Sequence, residues 1–168
     1  FENDKELPAA SVAIENSGTI KNVTVQKSFV RGGFRTGGIV AYNYHIFPGT
    51  LMDVKNENTS VMGGIGGGIA GESTGLILNA SNSGRVEAGR AGGIVGNTYD
   101  SGKKTNIVKG CSNTGFVYAS GYSWTEAGGI VAGGSRMVLR NNRNTGVVWA
   151  SSKNVADYKS AAVVGGIA

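Results

Sequence analysis

The residues able to do chemistry are few and scattered. His45 is the only histidine and Cys111 the only cysteine among 168 residues, so neither a His/Cys metal set nor a disulfide framework can be assembled. His45 lies in the turn-rich stretch Tyr42-Asn43-Tyr44-His45-Ile46-Phe47-Pro48-Gly49, where an aromatic contact accounts for the imidazole better than catalysis does. Carboxylates can act as acid and base, or hold Ca²⁺, only when two or three face one another. Here Glu87 shares its column with Tyr118 and Trp149, Asp53 and Glu57 share none with another acid after Glu15, and Asp100, Glu126 and Asp157 fall in separate insertions. Gly66-Gly67-Gly68-Ile69-Ala70-Gly71 satisfies G-x-G-x-x-G, yet it is one copy of a repeat with no strand-turn-helix unit around it. There is no Walker-type loop and no H-E-x-x-H, and the Gly-rich run at 63–68 lacks the Asp of calcium-binding nonapeptides. The expectation is therefore no catalytic residue, no metal and no cofactor.

Aromatic residues stand out instead. Insertions at 42–50, 97–106, 120–127 and 151–164 carry Tyr42, Tyr44, Phe47, Tyr99, Tyr122, Trp124 and Tyr158, while Phe116, Tyr118 and Trp149 fall in outward columns. Either the loops fold back over the sheet as a small second core, or the rings form a binding platform. On the second reading the candidate contacts are Phe116, Tyr118, Tyr122, Trp124, Trp149 and Tyr158.

What must position these residues is a repeat. Gly37-Gly38-Ile39 recurs as Gly67-Gly68-Ile69, Gly92-Gly93-Ile94, Gly128-Gly129-Ile130 and Gly165-Gly166-Ile167, at intervals of 30, 25, 36 and 37 residues. Such periods mark solenoids. A second anchor, Asn-Ser/Thr-Gly/Ser with an apolar residue two places on, alternates with the first: Asn16 with Ile20, Asn58 with Met62, Asn82 with Val86, Asn113 with Val117 and Asn144 with Val148. Gly pairs and apolar spacing of two disfavour helix. The expectation is an all-β parallel β-helix or solenoid of about five Gly-Gly-Ile repeats with loop insertions, each coil carrying three short strands about 4.8 Å from the next. Ile39, Ile69, Ile94, Ile130 and Ile167 would form an inward aliphatic ladder, and Asn16, Asn58, Asn82, Asn113 and Asn144 a ladder of amides at a turn. Ile77, Val108 and Leu139 precede their Asn by five residues but Val12 and Val54 by four, so the first two coils should differ by one residue. Cys111 aligns with Ala80 and reads as a small buried hydrophobe.

Composition agrees with one domain over 1–168, with 1–10 as an N-terminal cap or arm and 11–168 as repeats. Glycine supplies 29 residues and proline two, which suits many tight turns. The net charge of +5 is spread along the chain, without the basic tract of a nucleic-acid binder, and no stretch has the ~18 apolar residues of a spanning helix. The chain opens at Phe1 without Met or an apolar signal, and stops at the opening anchor of a further coil. The expectation is a processed product or fragment whose last edge is continued or covered by a partner.

Ser81-Asn82-Ser83-Gly84-Arg85-Val86 leading into Gly92-Gly93-Ile94-Val95-Gly96, and Gly110-Cys111-Ser112-Asn113-Thr114-Gly115 leading into Gly128-Gly129-Ile130-Val131, resemble the GLUG repeats of bacterial surface and secreted proteins. Those repeats occur in IgA-protease-type and adhesin-like proteins and in many proteins of gut Bacteroidetes. The likeness covers nearly all of the chain after about residue 10. It departs in having Ile at the third position throughout and irregular spacing. The resemblance implies an extracellular, cell-surface or outer-membrane-associated module and carries over no catalytic residue. The functional expectation is a non-catalytic binding or scaffold module, for adhesion, glycan or peptide capture, or docking to an outer-membrane assembly. A solenoid carbohydrate-active lyase or hydrolase, and a plain spacer, are the competing readings.

Overall fold

A computed structural model of the chain describes residues 7–44, 48–99, 105–121, 125–152 and 162–165. Within them every regular element is a β-strand, and the strands pair in parallel from one coil to the next. The protein is a parallel β-solenoid.

Each coil has four faces rather than the expected three strands. The first and longest face holds Ala9–Ala10, Arg35–Gly37, Ser60–Gly67, Val86–Gly92, Val117–Gly121 and Val148–Ser152, with Phe29–Arg31, Thr125–Gly128 and Ala162–Gly165 as separate pieces. Ala9 and Ala10 pair with Thr36 and Gly37, so this face begins inside the segment assigned to an N-terminal arm. The second face holds Ala13–Glu15, Val40–Asn43, Ala70–Ser73, Val95–Thr98 and Val131–Gly134. The third holds Thr19–Lys21, Thr50–Met52, Leu76–Leu78, Asn106–Lys109 and Met137–Arg140, and the fourth Thr24–Gln26, Lys55–Glu57, Ser81–Asn82, Ser112–Asn113 and Arg143–Asn144. The extra corner separates the third and fourth faces, and a single residue makes it. Asn22, Asp53, Asn79, Gly110 and Asn141 occupy this position in successive coils, all at positive φ, where Asn, Asp and Gly are tolerated and other residues are strained.

Two apolar clusters fill the interior. The larger is built on Ile39, Ile69, Ile94 and Ile130, each fully buried, with Leu51, Ile77 and Val108 from the third face and Val54, Ala80 and Cys111 just past the corner. The smaller lines the long face with Val61, Val86, Val117, Ala88, Ala119, Ala91 and Ala127. From the second coil on, the chain leaves the large cluster through an Asn, where the first coil has Val25, and re-enters it through a Gly pair, and these two points touch. A Cβ on Gly38 would lie 2.7 Å from Asn56 Nδ2, and one on Gly93 2.7 Å from Asn113 Nδ2. The second glycine of each pair therefore leaves space for an amide that partitions the two cores.

Asn82, Asn113 and Asn144 form that amide column. Asn82 Nδ2 donates to Asn113 Oδ1 and Asn113 Nδ2 to Asn144 Oδ1, both at 2.8 Å. The coil before them contributes Asn56, in register with Asn82, and not Asn58, which is exposed at φ 56°. The apolar partner shifts as well. Val61, not Met62, pairs with Val86. Asn16 belongs to a different corner, between the second and third faces, where its Nδ2 donates to Asn43 Oδ1 at 2.8 Å. Ile20 accordingly pairs with Leu51 on the third face. With Asn56 in place, the spacing of five from Leu51, Ile77, Val108 and Leu139 to their amides is uniform. The one-residue difference between coils lies after the amide instead: Val61 follows Asn56 by five residues, but Val86, Val117 and Val148 follow theirs by four. Ile167 lies outside the described residues.

Candidate functional site on the long face

The outward side of the long face brings together one row of larger side chains and one row with almost none. Strand alternation sends Val61, Val86 and Val117 inward and their neighbours outward. The register places Arg31, Met62, Glu87, Tyr118 and Trp149 in one column across five coils. Alongside it, Gly32, Gly33, Gly63, Gly64 and Gly89 floor an open groove of about 430 Å³, with Arg31, Met62 and Glu87 on its lip and Ser120 at one end. The bare floor is a packing requirement as well as an opening. A Cβ on Gly89 would come within 3.0 Å of Gly64 O, and one on Gly64 within 3.0 Å of Gly33 O.

The candidate aromatics Phe116, Tyr118 and Trp149 meet on this side. Phe116 and Tyr118 lie 6.3 Å apart and tilted, and Tyr118 meets the Trp149 ring edge-on at 5.8 Å. The Arg85 guanidinium lies 4.8 Å over Phe116 and pairs with Glu87 at 2.9 Å. Trp149 keeps 59 % of its surface exposed and Phe29, at the opposite end, 62 %. Phe116 and Tyr118 are half-buried. Tyr122, Trp124 and Tyr158, also proposed as contacts, lie outside the described residues, as do His45 and Phe47.

The far side of the long face carries charge. Glu126, expected in an insertion, sits in the strand Thr125–Gly128 and pairs with Arg90. Arg90 also donates to Asn97 Oδ1 at 3.0 Å, Asn97 Nδ2 to Glu72 Oε2 at 3.3 Å, and Arg35 to Glu72 at 2.7 Å. Glu72 is 2 % exposed, so its charge depends on these partners and on the Tyr44 hydroxyl. Burial, then the Glu72 charge and hydrogen bond, hold the Tyr44 hydroxyl well above the usual phenol range. Burial is the largest single influence and opposes the Arg35 charge, but the bond to Glu72, the attraction of its carboxylate and smaller contributions from Tyr42 and Tyr44 together outweigh it and raise the pKa. Tyr42 and Tyr44 stack edge-on beside Arg35 at 5.3 Å, so Tyr42 is spent on structure. Other acids are held too: Glu57 accepts from Gln26, and Asp53 from Asn79. Among the described residues no three His, Cys, Asp or Glu side chains cluster as a metal site would require. Burial pushes the Cys111 thiol up to about 11, which makes it unreactive at neutral pH.

The groove's Arg31, its glycines and the Glu72 network escape sequence reading. A signal for the floor exists: a glycine stands three residues after the inward valine at Val30/Gly33, Val61/Gly64 and Val86/Gly89. It is hidden by the abundance of glycine elsewhere. Nothing comparable marks Glu72, whose column otherwise holds Glu15, Tyr42, Asn97 and Gly133. No helix among the described residues is long and apolar enough to cross a membrane. No protein-family model, curated protein or solved structure matches this chain.

Proposed function

We propose that the chain is a non-catalytic binding module of a bacterial cell-surface or secreted protein, of the adhesin-like kind that the GLUG resemblance implies, and that its ligand lies on the long face. The observation that carries this reading is the groove itself, a side-chain-free floor beside a column that ends in Tyr118 and the exposed Trp149. A concave strip with a few polar groups, and aromatic rings in the adjoining column, suits capture of an extended glycan or peptide. The carboxylates near it are engaged by arginines: Glu87 by Arg85, Glu126 by Arg90 and Glu72 by Arg35. A pair poised for acid–base work would need one acid free to hold a proton and another facing it. A larger surface protein or an outer-membrane assembly is the setting in which such a module would act.

The test is a binding screen of residues 1–168 against soluble oligosaccharides and extended peptides, followed by tryptophan fluorescence. The expected result is a hit whose fluorescence change disappears in Trp149→Phe. Absence of any hit, with the fold shown intact by circular dichroism, would refute the reading and favour a spacer.

A further inference from the structure

We propose that the groove takes a linear polysaccharide bearing carboxylates, laid along the solenoid axis, an inference that rests on the binding-module reading above. Three features of the groove select this occupant. The first is the backbone. An extended peptide gains affinity on a sheet by adding a strand to a free edge, and the groove crosses strands already paired on both sides. Val61 N–H donates to Arg85 O, Val86 N–H to Phe116 O, Val117 N–H to Val147 O, and Gly64 N–H to Gly33 O. A peptide there would have to give up its own hydration without a ladder in return. A sugar chain carries its hydrogen-bonding groups on its rim and needs no ladder.

The second is the mixture of surfaces. A pyranose has an apolar C–H face and hydroxyls around its edge. Past Glu87 the adjoining column offers Tyr118 and Trp149, whose ring faces of negative potential suit the former, and Ser120 and Glu87 line the groove for the latter. The glycine floor lets a flat ring approach the backbone where any side chain would hold it off. From Arg31 to Trp149 the column climbs four coil spacings, roughly 19 Å, long enough for several sugar units and hence for many weak contacts in sequence.

The third is charge. Of the two charged groups lining the groove, Glu87 is neutralised by Arg85, whereas Arg31 is exposed and forms no ion pair among the described residues. Counted over its described lining, the groove thus carries an uncompensated positive charge, in a chain of net charge +5. A guanidinium binds a carboxylate through two parallel hydrogen bonds, so a uronate-type sugar over Arg31 with its neighbours running toward Trp149 matches the order of groups along the column.

The experiment is calorimetric titration of the whole chain with oligogalacturonate and with alginate oligomers, beside cello-oligosaccharide as the neutral probe and polyglutamate as the charged, sugar-free one. The expected result is binding of a uronate oligomer alone, weakened about tenfold or more in Arg31→Gln by loss of a charged hydrogen bond. Arg31→Lys should retain part of the affinity, and Trp149→Ala should weaken binding without altering its salt dependence. Both positions are exposed, and circular dichroism verifies that the variants fold. Equal binding of cello-oligosaccharide, or unchanged affinity in Arg31→Gln, would overturn the carboxylate assignment while leaving the binding module standing. Polyglutamate binding as tightly as the uronates would overturn the polysaccharide assignment. Failure of every glycan and peptide would remove both.

Discussion

Two corners of the coil use the same amide chemistry under different constraints. At the corner between the fourth and first faces, Asn82 and Asn113 each accept a hydrogen bond from the glycine two residues on and donate to the next Asn in the stack. At the corner between the second and third faces, Asn16 does the same with Gly18 and Asn43. The first column opens with Val25 and is then Asn at Asn56, Asn82, Asn113 and Asn144, each against a glycine, whereas the second runs Asn16, Asn43, Ser73, Thr98 and Gly134. The links that follow differ in the same sense. Three residues separate Asn82, Asn113 and Asn144 from their next strands, while the other corner passes through anything from two residues, at Thr74-Gly75, to seven at 99–105. An amide pinned between two cores against a glycine cannot vary. One that only closes a turn, though buried as well, can be replaced by any group that satisfies the same backbone N–H, as Ser73 Oγ does for Gly75.

The sharpest way to break this comparison is to push on the glycine side of the first corner. Gly93→Ala puts a methyl 2.5 Å from Asn113 Cγ and against the Gly129 backbone, and neither can move without opening a core. The expected loss is about 3 kcal/mol or more by chemical denaturation. A loss below about 1 kcal/mol would show that the amide column yields and that the Gly pair is not required by it.

Removing the amide itself should cost somewhat less. Asn113 is fully buried and makes four hydrogen bonds, to Asn82, Asn144 and both backbone groups of Gly115. Asn113→Ala should destabilise by about 2 to 3 kcal/mol, because the groups left behind remain buried. Asn43→Ala, at the second corner, should cost about 1 to 2 kcal/mol, since Asn43 is equally buried but one of its partners, the Ser73 hydroxyl, can turn to another group. Equal losses at the two sites would mean that the corners are equivalent and that their different sequences carry no energetic message.

These corners also explain what could be read in advance. The solenoid, the buried Ile column and the inward Val86, Val117 and Val148 were legible because alternation and repeat period are properties of the chain alone. Four faces were not. A corner made by one residue, such as Asn79 between Leu78 and Ala80, leaves no break in an apolar pattern. The amide column was legible in the three coils where Asn-x-Gly and a spacing of four coincide. It was misread at Asn16 because one turn motif serves two corners, and only the pairing between coils tells them apart. On the long face Phe116, Tyr118 and Trp149 were legible as outward residues by alternation. Arg31 was not, because its place in that column depends on the extra residue that shifts the early coils.

That extra residue supplies the smallest and most specific test. Asn58-Thr59-Ser60 imitates the Asn-Ser/Thr-Gly anchor, yet Asn58 is exposed and contributes its backbone rather than its amide to the corner. It sits at φ 56° and Lys27, in the coil before, at φ 48°, the two positions where the longer link must turn left-handed. If Asn58 is chosen for that φ alone, Asn58→Ala should cost about 1 kcal/mol, the price of a Cβ in the left-handed region, and Asn58→Gly almost nothing. If it belonged to the buried column, both variants would lose the amide's hydrogen bonds and fall together by about 2 kcal/mol. The difference between Ala and Gly, read from paired denaturation curves, therefore separates a residue held for its backbone from one held for its side chain. A Gly variant as unstable as the Ala variant would return Asn58 to the column and undo the register on which Val61, Met62 and Arg31 are placed.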